Sequence, residues 1–310
     1  MLALFNRLIN PAHANAFWIG IALMVLGNLF FALNDTLGKV LLGTFAVGQL
    51  LAIRSAGAFL VLGPMLFAAS GTRPWRIDRP WLQALRVVLT TADSGLFYAA
   101  VAYLPLADVI TFYMAGPIYV AAMSYFLPNE RISWRRWLAI LGGFVGVVIA
   151  LGPSFAHVSL ETIYALVGGF AYAGSLMMNK VLSKTSDTVL GTLQALGALA
   201  VGSGFALYSW TAPSPLDFVL LLLLGVIACL AHLFVTRSVK LAPVSVLAPF
   251  QYTLLLWGII FGIIVFGDVP SREILIGAGI IVLAGLFLLY SERRTREGPA
   301  SADSVMKDFP

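Results

Sequence analysis

Arg54 and Asp93 are the residues of this 310-residue chain best placed to do chemistry. Both sit deep in long apolar stretches, Arg54 in one read as 45–69 and Asp93 in one read as 82–103. Ionisable groups in such stretches are costly unless they meet a partner, a cavity or water. Each lies roughly ten residues into its stretch, and at about 1.5 Å rise per residue both reach mid-depth of a bilayer. Two roles fit the pair. It is a substrate or proton site that breaks when solute binds, or a buried structural ion pair that fixes the packing of two neighbouring helices. Asp35 lies nearer the outer mouth, one turn from Lys39, and that spacing suits a local salt bridge or a transport role.

Aromatic and amide side chains in the spans are candidates to line a cavity: Phe97, Tyr98, Tyr113, Tyr119, Tyr172, Gln194, Gln251, Tyr252 and Trp257. A planar organic solute stacks on such rings while amides supply hydrogen bonds. Pro117, inside an apolar span, removes a backbone hydrogen bond and is expected to bend its helix beside the cavity. Glu130 and Asp268 stand in turns just before apolar helices, where a carboxylate favours the helix N-terminus and Ser133 or Ser271 can cap. No phosphate-binding G-x-x-x-x-G-K-[ST] loop and no H-E-x-x-H motif occurs. The lone Cys229 and the scattered His13, His157 and His232 predict no metal site. No cofactor is expected.

The elements that position these groups follow from composition. The chain is 60% hydrophobic and 11% charged, which a soluble domain could not sustain. Spans are read at 17–38, 45–69, 82–103, 107–127, 134–152, 159–180, 188–209, 215–236, 244–266 and 272–290, each long enough for a bilayer. Lys and Arg concentrate in alternate connections, as in Arg73, Arg76 and Arg79 with Arg86 just inside the next helix. That bias predicts both termini in the cytoplasm and accounts for the net charge of +5 without nucleic acid. Gly142-x-x-x-Gly146, Gly169-x-x-x-Ala173 and Gly277-x-Gly279 predict close helix packing.

The second half repeats the first. Leu104-Pro105-Leu106-Ala107 is echoed by Leu241-Ala242-Pro243-Val244, and Asn129-Glu130-Arg131-Ile132-Ser133 by Gly267-Asp268-Val269-Pro270-Ser271. Gly27 to Leu41 and Gly168 to Leu182 both end in Lys-Val-Leu. A repeat unit with an odd number of spans must lie inverted relative to its copy, the architecture of secondary transporters.

The run Phe97-Tyr98-Ala99-Ala100-Val101-Ala102-Tyr103-Leu104-Pro105-Leu106-Ala107, with Gly116-Pro117, Glu130-Arg131-Ile132-Ser133 and Gly142-Gly143, resembles the drug/metabolite transporter superfamily. The likeness is to its ten-helix branch with two EamA-type domains. In the second copy Asp268 replaces the usual Glu, and Leu254 or Leu255 stands in place of Pro117. The resemblance implies a ten-helix basket with a central cavity that moves small organic solutes without ATP. Asn34-Asp35-x-x-Gly38-Lys39, Val47-x-Gln49 and Arg54-Ser55 resemble the bacterial subgroup of S-adenosylmethionine and riboflavin uptake carriers.

The expected architecture is therefore an all-α membrane protein of ten transmembrane helices in two inverted five-helix repeats. Its expected parts are a cytoplasmic N-terminus (1–16), repeats at 17–152 and 159–291, and a disordered cytoplasmic tail (292–310). The expected activity is alternating-access transport of a small organic metabolite across a bacterial inner membrane, as uptake of a vitamin such as riboflavin or an S-adenosylmethionine-like or amino-acid-like solute. Export of amino acids or drugs is one alternative, and a membrane enzyme acting on lipid-linked substrates is another. The residues expected to bind solute or a coupling ion are Arg54, Asp93, Asp35, Asn34, Tyr98, Tyr113, Tyr119, Gln251, Tyr252 and Trp257. The partners are a small-molecule substrate and the lipid bilayer, with the chain a monomer or homodimer.

Overall fold

The computed structural model describes residues 13–68, 79–116, 118–119, 123, 134–151, 159–182, 185–241, 247 and 250–296. Pro117, the Glu130–Ser133 turn, residues 1–12 and the tail after Arg296 lie outside the described residues.

Among the described residues ten α-helices follow one another: α1 (His13–Leu42), α2 (Val47–Ala68), α3 (Pro80–Val101), α4 (Leu106–Tyr113) and α5 (Trp134–Leu151), then α6 (Leu160–Val181), α7 (Asp187–Ala206), α8 (Pro215–Leu241), α9 (Thr253–Phe261) and α10 (Arg272–Arg296). Among the described residues, five helices are long and apolar enough to cross a membrane: α1, α2, α3, α7 and α8. The second half starts its helices with serine caps. Ser159, Ser186 and Ser271 accept from the backbone N–H of Thr162, Val189 and Ile274 at 3.2–3.3 Å, the last as the sequence predicts. Helix α10 runs to Arg296, past the expected boundary at 291. Leaving the membrane does not end a helix, and Ser291-Glu292-Arg293-Arg294 is compatible with continuing it.

The packing shows how the two halves relate. Helix α1 packs on α8, and its counterpart α6 packs on α3. Helix α8 also packs on α2, as α3 does on α7, and α9 meets α1 as α4 meets α6. The pairs α2–α7, α4–α9 and α5–α10 map onto themselves. Exchanging each helix with the one five places on leaves this pattern unchanged. The protein is an all-α membrane protein of ten helices in two inverted five-helix repeats.

Small residues set the closest crossings, since lipid leaves packing as a main attraction between helices. In α5–α10 a Cβ on Gly146 would lie 2.8 Å from Ile281 and 3.0 Å from the Gly277 carbonyl. Gly279, grouped with these by spacing, faces open space. Leu106, Ile110, Leu221, Leu224 and Ile281 fill the centre, whereas Phe144, Leu207 and Ile264 stand exposed on the outside, where a bilayer solvates them.

Both fourth helices of the repeats break at one level. Helix α4 ends at Met114, with φ −67° and ψ −11°; Tyr252, just before α9, has the same φ −67° and ψ −11°. Both breaks fall inside the spans read at 107–127 and 244–266, and the bend expected at Pro117 itself lies outside the described residues. The break in the second half falls at Tyr252, three residues after Pro249. It frees the Phe250 carbonyl, which accepts from Asn28 Nδ2 at 2.7 Å and from Thr253 Oγ1 at 2.6 Å. Asn28 is buried, and Thr253 still serves that carbonyl without it, so Asn28→Ala should cost about 0.5–1.5 kcal/mol, the net worth of the lost bond. Thermal unfolding of the variant in detergent measures this, and an unchanged midpoint would contradict it.

Candidate functional site

Helices α1, α2, α3, α6 and α8 bring the polar residues of the apolar spans to the middle of the bundle. Two adjoining chambers form there. The larger spans about 950 Å³ of space, its opening to solvent included, and lies in the half where α3 and α7 begin, bordered by Arg86, Asn179 and Asp187. The smaller spans about 580 Å³ and lies in the opposite half, bordered by Asn34, Asp35, Tyr98 and Tyr113. Arg54, Asp93, Tyr172 and His232 line both.

Arg54 and Asp93 share this junction, but they are not an ion pair. Arg54 makes no hydrogen bond or salt bridge among the described residues, and its Nε is buried without a partner. Its guanidinium instead lies over the Tyr98 ring, 5.4 Å from the centroid. That face supplies a cation–π contact in place of the expected carboxylate. Both charges are buried, each 9% exposed.

Asp35 accepts from Asn34 Nδ2 at 2.9 Å, and the same amide nitrogen lies 3.0 Å from the Tyr98 hydroxyl oxygen. The local Asp35–Lys39 bridge does not form. Lys39 reaches instead to Asp268 Oδ2 at 3.0 Å and to the Leu104 carbonyl at 3.1 Å, above the Phe266 ring. Asp35 is turned into the bundle, while the lysine's long stem takes its charge to the rim. The Lys39–Asp268 bridge ties the first repeat to the second at that end. Gly267, at φ 70°, makes the left-handed turn that presents Asp268.

The aromatics divide. Phe97, Tyr98 and Tyr113 border the smaller chamber, and Tyr172 borders both. Phe97 packs edge-on against Tyr98 and Tyr113, with centroids 5.5 and 5.3 Å away. The Tyr113 hydroxyl donates to the Asp93 carbonyl at 3.2 Å, which anchors α3 to α4 beside the acid. Tyr119, Gln251, Tyr252 and Trp257 border neither chamber. Tyr119 packs against Phe170, and Trp257 stacks on Phe261. The Tyr252 ring lies against Gly285 of α10. Gln49 pairs in both directions with the Thr211 backbone, at 2.6 and 2.9 Å, and so holds the α7–α8 loop.

Two chamber residues were not singled out by the sequence reading. Arg86 counted there as a flanking charge and His232 as a lone histidine. Arg86 is 5% exposed and donates to Asn179, to the Leu190 carbonyl at 2.9 Å and to Gln194 Oε1 at 3.3 Å. Because Arg86 has only donors, it fixes the Gln194 amide. Gln194 Nε2 therefore faces His232 Nε2, 3.3 Å away, as donor, which assigns the ring proton to Nδ1. The available signal was depth: Arg86 already lies in the second turn of its helix.

Comparison with known proteins bears on the fold and the family. A family profile described as the EamA-like transporter family matches residues 18–152 and 159–291. The chain is 26% identical over 279 residues to a protein named S-adenosylmethionine uptake transporter from Rickettsia prowazekii (strain Madrid E), covering 89% of this chain and 94% of the relative. It is 28% identical to a riboflavin transporter from Brucella anthropi, over 76% of this chain and 86% of that one. A riboflavin transporter from Vibrio cholerae serotype O1 is 29% identical over 78% and 82% of the two chains. One solved crystal structure superposes with a TM-score of 0.63 at 17% identity, covering 92% of this chain and 99% of its own, and shares the fold.

Proposed function

This chain belongs to the EamA-like transporter family and is a multi-pass membrane transporter of small metabolites, not an enzyme; on that premise we propose that it takes up an S-adenosylmethionine-like solute across a bacterial inner membrane. The observation that carries the reading is the junction of the chambers. There Arg54 and the buried Asp93 line both chambers, with the buried Asp35 beside them in the smaller one, the guanidinium bound to neither carboxyl group and set among tyrosine rings. A solute with a cationic centre would pair with the carboxyl groups, its carboxylate would take the Arg54 fork, and its aromatic base would lie on the rings. Each contact replaces water that the solute gives up, so the site favours a ligand that carries all three groups.

The transport cycle follows from the repeats. Lys39–Asp268 closes one end across the two halves, and the larger chamber lies toward the other. Rocking of the halves would expose the junction first to one side of the membrane and then to the other.

Riboflavin is the competing solute. It is neutral and would use the rings of Tyr98, Tyr113 and Tyr172 while leaving both acids unpaired. Uptake of labelled S-adenosylmethionine and of labelled riboflavin into proteoliposomes separates the two. Accumulation of the first, blocked by excess unlabelled solute, is the expected result. Saturable uptake of riboflavin alone would overturn the assignment, and transport of neither would remove both.

A further inference from the structure

We propose that the larger chamber holds a second ligand site, an oxyanion site centred on Arg86. The Arg86 side chain is buried in the second turn of α3, and it faces a chamber of about 950 Å³. Its three acceptors, the Asn179 amide, the Leu190 carbonyl and the Gln194 amide, are all neutral. They orient the guanidinium from α6 and α7 without neutralising it. An arginine has five N–H donors, so two remain after these three. Nε, Nη1 and Nη2 each hold one of these acceptors, so the two N–H groups left over are one on each terminal nitrogen. Arg86 makes no ion pair among the described residues, although Asp187 and Asp93 border the same chamber.

A buried cation without a counter-charge is costly, and a guanidinium held in one plane by its neighbours suits a carboxylate or phosphate. Thr90, Asn179 and the Gln194–His232 pair border the same space and offer further polar contacts. The shared chemistry is an oxyanion, which has two sources. It is the solute's own carboxylate, met on the way between the junction and the chamber mouth, or a free inorganic anion that travels with the solute.

The test is binding to the purified full-length protein in detergent, so it stands apart from whether the chain moves S-adenosylmethionine. Thermal unfolding is followed while inorganic phosphate or benzoate is titrated at constant ionic strength. A ligand that binds only the folded state should raise the midpoint by on the order of 2 °C or more near saturation. The shift should vanish in Arg86→Gln. If that variant fails to fold, Arg86→Lys, which keeps the charge and loses the planar fork, should weaken the anion roughly tenfold. Binding of phosphate assigns the site to a free anion, and binding of benzoate alone assigns it to an organic carboxylate. No shift in the native protein with either probe would overturn the proposal. So would an equal shift in Arg86→Gln, or unchanged affinity in Arg86→Lys where Arg86→Gln does not fold.

Discussion

Arg54→Ala abolishes most transport and leaves the fold intact or firmer. Arg54 has no hydrogen-bond or ion-pair partner among the described residues, so truncation orphans no acceptor. Replacing an unpaired buried charge with a neutral group removes a desolvation cost, and the loss of its contact with the Tyr98 ring offsets only part of that. The thermal midpoint should hold or rise. Transport should fall by roughly 10- to 150-fold, the equivalent of about 1.5–3 kcal/mol for a charge-assisted contact with solute. A structural ion pair behaves oppositely: removing one partner of a buried pair costs about 3–5 kcal/mol. Uptake and unfolding measured on one preparation therefore decide between the two roles. The double variant Arg54→Met with Asp93→Leu should stay folded and inactive. Full transport by it would return these residues to a packing role.

Gly225→Val should prevent stable assembly. Helices α2 and α8 cross with their backbones in contact, and a Cβ on Gly225 would point at the Arg54 carbonyl, 2.8 Å from its carbon and 2.9 Å from the Ala58 nitrogen. Gly57 makes the reciprocal approach to Leu222, 2.8 Å from its Cα. Backbone cannot yield as a flexible side chain can, so the helices must separate. The expected cost is about 3 kcal/mol or more, at the upper end for overpacking. The same separation would move Arg54 away from Asp35 and Tyr98. Gly279→Ala is the matched control, because nothing lies within 4 Å of its added Cβ. It should leave both midpoint and transport unchanged. A Gly225→Val protein that unfolds like the native one would show that backbone contact at this crossing is not required for assembly.

Composition and order alone determined the membrane class, the helix count and the repeat. Hydropathy over about twenty residues reports one local property, and the echo of Leu104–Ser133 in Leu241–Ser271 needs no coordinates to be seen. The depth of Arg54, Asp93 and Asp35 was legible for the same reason, since rise per residue is constant in a helix. Partner choice was not legible. Asp35 and Lys39 have the spacing of a salt bridge, yet the lysine crosses to Asp268 of the other repeat. Arg54 and Asp93 lie deep in neighbouring spans, yet the guanidinium settles on the Tyr98 ring. Each outcome depends on the direction of a side chain around its helix axis and on contacts between residues far apart in sequence. At the Tyr252 break the Phe250 carbonyl is served by Asn28, from the first helix of the other repeat, a partner 222 residues away that no local pattern announces. Arg86 reads as a flanking charge until α6 and α7 close over it. Local sequence determines which groups are buried; the packing of the two repeats decides which of them meet and which are left for a ligand.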